Sequence, residues 1–151
     1  MLDDNQGTNF MKNSLILFFL LISINYSQSS TKKWNELFQR YDITLSDGTK
    51  CTQKYNDLFD RWETDCPDGG STTKYNELFE RYETNHDDGS TSTTKYNELF
   101  QRYDTKNSKG PDHTKKWNDL FKRYDIIYSD GTRCWEKYND LFERWESNCP
   151  K

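Results

Sequence analysis

The chain has 151 residues, a formal charge of −4, and a composition that is 32% hydrophobic, 16% aromatic and 30% charged. Its length suits one ordinary domain, and so mild a charge, with no Lys/Arg block, gives no reason to expect nucleic-acid binding. Ala and Val are absent, so a core must rest on Leu, Phe, Tyr and Trp, and the high charge favours disorder unless those aromatics pack.

The first element, residues 1–28, reads as a secretory signal region. Lys12 precedes an apolar run from Leu15 to Ile24, and Ser27, Gln28, Ser29 and Ser30 follow. Met11 offers an alternative start. The run is shorter than the ~20 apolar residues a spanning helix needs, so no membrane span is expected, and the mature chain is expected to be secreted and extracellular. The four cysteines fit an oxidising compartment.

Six copies of one decapeptide then occupy the chain: KWNELFQRYD, KYNDLFDRWE, KYNELFERYE, KYNELFQRYD, KWNDLFKRYD and KYNDLFERWE. Their first aromatics are Trp34, Tyr55, Tyr75, Tyr96, Trp117 and Tyr138, spaced by 21, 20, 21, 21 and 21 residues. A fixed period of this size marks a tandem-repeat protein. Lys, Asn, Leu, Phe and Arg are the same in every copy. The residue after Phe drifts freely through Gln, Asp, Glu, Gln, Lys and Glu.

The copies group into modules. Residues 31–67 recur as 114–150, both cysteines included, and residues 68–113 form a cysteine-free pair of spacer repeats between them. Cys51 with Cys66 and Cys134 with Cys149 are the favoured disulfides, because the module was duplicated with both partners. Crossed pairing between modules stays open.

Within a copy, Tyr55, Leu58, Phe59 and Trp62 fall at i, i+3, i+4 and i+7, one face of an α-helix. Asp57 stands four residues before Arg61, the spacing of a helical ion pair. SDG, PDGG, DDGS and SKGP separate the copies as turn sequences. The expected fold is mainly α: six amphipathic helices of about eleven residues, each too short to persist alone. A competing signal allows short β-hairpins at residues 43–51 and 126–134, around Asp47-Gly48 and Asp130-Gly131.

The candidate binding residues are the two outer aromatics of each copy. They are Trp34 and Tyr41, Tyr55 and Trp62, Tyr75 and Tyr82, Tyr96 and Tyr103, Trp117 and Tyr124, and Tyr138 and Trp145. To these are added the repeated Asn35, Asn56, Asn76, Asn97, Asn118 and Asn139, for which the helix gives no reason. The repeated Arg, kept where Lys would serve an exposed pair, suggests a planar or stacked contact.

No nucleophile, acid–base or metal-ligand spacing is recognisable, so no enzyme, metal or cofactor is expected. The loop around Gly89 fails the calcium pattern, with Lys95 where a Glu is needed. The sequon Asn25-Tyr-Ser27 lies in the signal region. The functional expectation is a secreted, non-enzymatic repeat protein that uses its repeated aromatic-Leu-Phe-aromatic helical faces to bind an extracellular protein, polysaccharide or mineral surface, or to associate with itself, as an effector or matrix component. The alternative is a precursor cut into similar peptides, with basic pairs at Lys32-Lys33, Lys115-Lys116 and Lys122-Arg123.

Overall fold

KYNELFERYE folds as a β-hairpin. In the computed structural model, which describes residues 29–149, each copy forms two antiparallel strands joined by a four-residue turn. The strands are β1 (Ser29–Asn35), β2 (Arg40–Thr44), β3 (Lys50–Asn56), β4 (Arg61–Asp65), β5 (Ser71–Asn76), β6 (Arg81–His86), β7 (Thr91–Asn97), β8 (Arg102–Asn107), β9 (His113–Asn118), β10 (Arg123–Tyr128), β11 (Arg133–Asn139) and β12 (Arg144–Asn148). Each pairs with its chain neighbours, and β1 pairs with β12, closing a twelve-stranded barrel. The expected signal region lies outside the described residues.

The mainly α expectation is therefore wrong, and the reason is a coincidence of spacing. Asn56 pairs with Arg61 around the turn, so the next pair outward, Tyr55 and Trp62, is separated by seven residues. Two helical turns also span about seven residues. The Leu and Phe between them sit at the turn and not on a helix face. Asp57 is not the partner of Arg61, which instead pairs with Glu63 two residues on. The hairpins suggested around Asp47-Gly48 and Asp130-Gly131 are present, as β2–β3 and β10–β11, but they belong to one continuous sheet.

Closure follows from a uniform stagger. Within hairpins Trp34 faces Tyr41 and Gln53 faces Thr64. Between hairpins Tyr41 faces Gln53, Trp62 faces Thr73, Tyr82 faces Thr94, Tyr103 faces Lys115, Tyr124 faces Glu136 and Trp145 faces Lys32. Every boundary thus slips by the same two residues, and the slip still fits when β12 meets β1. Strand number, stagger and tilt must agree for a barrel to close, and identical repeats satisfy that condition six times over.

Strand alternation sorts the side chains. Inward positions carry the aromatics, which range from buried to about 40% exposed, and then buried residues such as Lys32, Gln53, Thr73, Thr94, Lys115 and Glu136. Outward positions carry mostly Lys, Arg, Asp, Glu, Asn and Thr. A lipid-facing barrel needs an apolar outer band, and this outer surface is charged instead. No helix among the described residues is long and apolar enough to cross a membrane.

The two disulfides are Cys51–Cys66 and Cys134–Cys149, with Cα–Cα distances of 4.4 and 4.2 Å. The pairing is local, but its geometry is not the bracketing of a helix. Thr52 faces Asp65, so Cys51 and Cys66 lie directly opposite each other on neighbouring strands. The same interior place holds Ser71 and His86, Ser92 and Asn107, and His113 and Tyr128 in the cysteine-free hairpins.

Candidate functional site

The turns of all six hairpins gather at one end of the barrel, and one set of bonds shapes each of them. Asn35 Oδ1 accepts the Phe38 N–H at 3.2 Å, while its Nδ2 donates to Asp42 at 2.6 Å. Arg40 Nε donates to the same carboxylate at 2.9 Å, and the guanidinium lies 4.8 Å from the Phe38 ring centre. The third copy repeats this with Asn76, Glu83, Arg81 and Phe79, the fourth with Asn97, Asp104, Arg102 and Phe100. The arrangement accounts for the repeated Asn as a latch that pins the turn to the strand. It also accounts for Arg over Lys, since the planar group stacks and donates at once.

Electrostatics agree with that lattice. The carboxyl of Glu83 is held below its usual range by the Arg81 hydrogen bond first and the Asn76 bond second. Glu63 and Glu146 are lowered mainly by their own arginines. These pairs are about one-third exposed, so water screens them and each adds little to stability. Their role is shape, repeated six times. The repeated Lys has a role in two places: Lys74 and Lys95 donate to the turn carbonyls of Phe59 and Phe79 on the preceding hairpins.

The candidate aromatics divide from the Leu-Phe pairs. Each outer pair meets across its hairpin on the inner face, with ring centres 4.9 Å apart for Trp34–Tyr41 and 5.4 Å for Tyr138–Trp145. Tyr41, Tyr103 and Trp145 are buried, whereas Tyr75, Tyr96, Trp117 and Tyr138 stay about 40% exposed at the mouth. Burial and the neighbouring Tyr138 push the Tyr41 hydroxyl up to about 12. The aromatics are therefore chiefly core, worth ~0.5–1.5 kcal/mol per pair beyond area burial.

The residues that reach solvent are Leu and Phe. All six leucines, from Leu37 to Leu141, are 82–84% exposed, and all six phenylalanines, from Phe38 to Phe142, are 51–54% exposed. The sequence puts Leu and Phe on the same face as the outer aromatics, as core or as exposed anchors; the hairpin separates them, with the aromatics turned inward and Leu and Phe at the turn. The signal that marks them was available: Leu is the same in six copies while the residue two positions on drifts freely. That drifting residue occupies a left-handed conformation, with φ between 49° and 51°, and its contacts differ from copy to copy, as in Gln39 to the Glu36 carbonyl and Lys122 to Asp119.

Deeper in the barrel is a polar layer. Lys115 and Glu136 form a buried ion pair, and Lys32 donates to Gln53 Oε1 at 2.8 Å. Gln53 stands in the first module where Glu136 stands in the second. Burial lowers the amine of Lys32 well below the ordinary lysine range and lowers that of Lys115 as well, against the pull of Glu136. Burial, with Lys115 adding to it, takes His113 down to about 3. Thr73–Thr84 and Thr94–Thr105 hydroxyl pairs at 2.9 and 2.8 Å fill the intervening hairpins. Among the described residues no His/Cys/Asp/Glu group is placed to hold a metal ion.

Fold and site together define a tandem-repeat β-barrel built from six hairpins and two cross-strand disulfides. The chain matches no protein-family model, and no curated protein or solved structure shows significant similarity to it.

Proposed function

We propose that the chain is an extracellular binding protein that engages its target through the barrel end formed by the six Leu-Phe turns. One observation carries this reading. Leu is retained in every copy although it is 82–84% exposed, so packing within the chain gives no reason to keep it. Six tethered, near-identical contact points confer avidity on any target that spans several of them. The two disulfides fit an oxidising environment, which supports an extracellular site of action, and a signal region at residues 1–28 would deliver the chain there.

Processing into peptides is the weaker reading. Lys32-Lys33 lies within β1 and Lys115-Lys116 within β9, and Lys32 and Lys115 are buried. A cut at either would sever a closed barrel.

The test uses the intact, oxidised chain and a variant with Leu78, Phe79, Leu99 and Phe100 replaced by Ser. Both are screened against a glycan array, a peptide library and lipid vesicles. Any ligand of the parent should be lost by the turn variant and kept by Asp47→Ser, at the opposite end. A ligand indifferent to the turn replacements overturns the proposal.

A further inference from the structure

Resting on that reading, we infer that the surface this end docks onto is a phosphatidylcholine bilayer. The first ground is shape. The leucines project from the turns, almost fully open to water. A rigid protein would need six matching pockets set in a ring, whereas a bilayer closes around any projecting apolar group. Six Leu-Phe pairs open to water at one end of the barrel are more than the singly scattered apolar residues of an ordinary surface.

The second ground is the order of residue types along each hairpin. Leu and Phe are the apolar residues of the tip, where an acidic residue precedes each pair. Tyr or Trp follows on the inner face, with Tyr75, Tyr96, Trp117 and Tyr138 part-exposed at the mouth. Lys comes next on the outer face, as in Lys74 and Lys95. Apolar, aromatic and then basic is the depth profile of a protein element held at a membrane interface.

The third ground is charge, which selects the lipid. The first turn residue is acidic in all six copies, and the fourth adds Asp60, Glu80 and Glu143 against the single Lys122. The six arginines behind this ring are each paired with a strand carboxylate and the repeated lysines stand three residues further back, so the outermost charge is acidic and repels anionic lipid. It would also set like charges face to face in a head-to-head pair of copies. The choline group is the cation in a neutral bilayer that the ring can accept, and quaternary ammonium groups favour Tyr and Trp faces.

Flotation of the oxidised chain with phosphatidylcholine vesicles tests this. The parent should float with the vesicles, and its Trp emission should shift to the blue. A variant with all six leucines replaced by Ser should lose partitioning by ~100-fold or more, with an unchanged circular dichroism spectrum. Added phosphatidylserine should weaken binding. No flotation, flotation that survives the leucine replacements, or tighter binding to the anionic vesicles overturns the inference. A parent that sediments as a dimer and becomes monomeric on leucine replacement also overturns it, because a second copy then covers the face. Failure with vesicles alongside turn-dependent binding of a glycan or peptide would sink this inference and leave the binding proposal standing.

Discussion

Replacing Asn97 by Ala removes one latch and leaves every other contact of the barrel in place. Asn97 accepts the Phe100 N–H at 3.3 Å and donates to Asp104 Oδ2 at 2.9 Å. A protein hydrogen bond contributes ~0.5–1.5 kcal/mol net. Both bonds are partly open to water, so the expected loss is ~1–2 kcal/mol for one copy. The latches share no partners across hairpins, so their losses should add. All six replacements would then cost ~6–12 kcal/mol, comparable with the ~5–15 kcal/mol that holds a typical domain. The single variant should fold with a lowered urea midpoint under oxidising conditions, read by Trp fluorescence, and the Phe100 amide should exchange faster with deuterium. The sixfold variant should be unfolded. Asn97→Asp keeps the acceptor but sets a carboxylate against Asp104, so it should cost at least as much as Ala. A single Ala variant within ~0.3 kcal/mol of the parent, or a folded sixfold variant, would refute the latch.

Three further outcomes are expected. Glu136→Gln leaves Lys115 buried without its acid and should cost ~3–5 kcal/mol; adding Gln53→Glu, which gives Lys32 the partner that Lys115 lost, should recover most of it in the same urea assay, and no change in either variant would discount the interior charges. His113 sits at about 3 when folded against 6.5 when free, so as pH falls from 6.5 towards 3 the unfolded chain gains a proton that the folded chain refuses. Stability attributable to this group therefore drops by ~1.4 kcal/mol per pH unit; His113→Ser, matching Ser71 and Ser92, should flatten the acid limb by up to one proton, and an unaltered slope would contradict the burial effect. Removing the Cys51–Cys66 bridge with two serines should cost ~3 kcal/mol, the expectation for a loop of this length; a urea midpoint that ignores both that change and reductant would show the bridges to be dispensable.

The period, the turn sequences between copies and the local cysteine pairing were legible without coordinates; the turns within the copies were not. Strand character was not, and the interior explains why. Pattern reading looks for apolar residues alternating with polar ones, but the inward side of Thr91–Asn97 is Ser92, Thr94 and Tyr96, and the outward side is Thr91, Thr93, Lys95 and Asn97. Hydroxyls stand on both faces, so no apolar alternation appears. The seven-residue gap between Tyr55 and Trp62 then favoured the helix. The puzzle of the repeated Asn was itself a sign of the wrong fold, since a residue that weakens helices sits well at the base of a four-residue turn. The separation of Leu and Phe from the outer aromatics was hidden for the same reason, because a helix puts all four on one face.

The pairing of β1 with β12 also bears on how such a chain can change in length. A stacked array grows like a rod, and a unit added at its end leaves the others as they were. A ring has no end. One more hairpin would alter the girth, respace every turn around the rim and change the curvature at each seam. Copy number here is fixed by circumference, so a seventh copy would have to be accommodated by all six others at once.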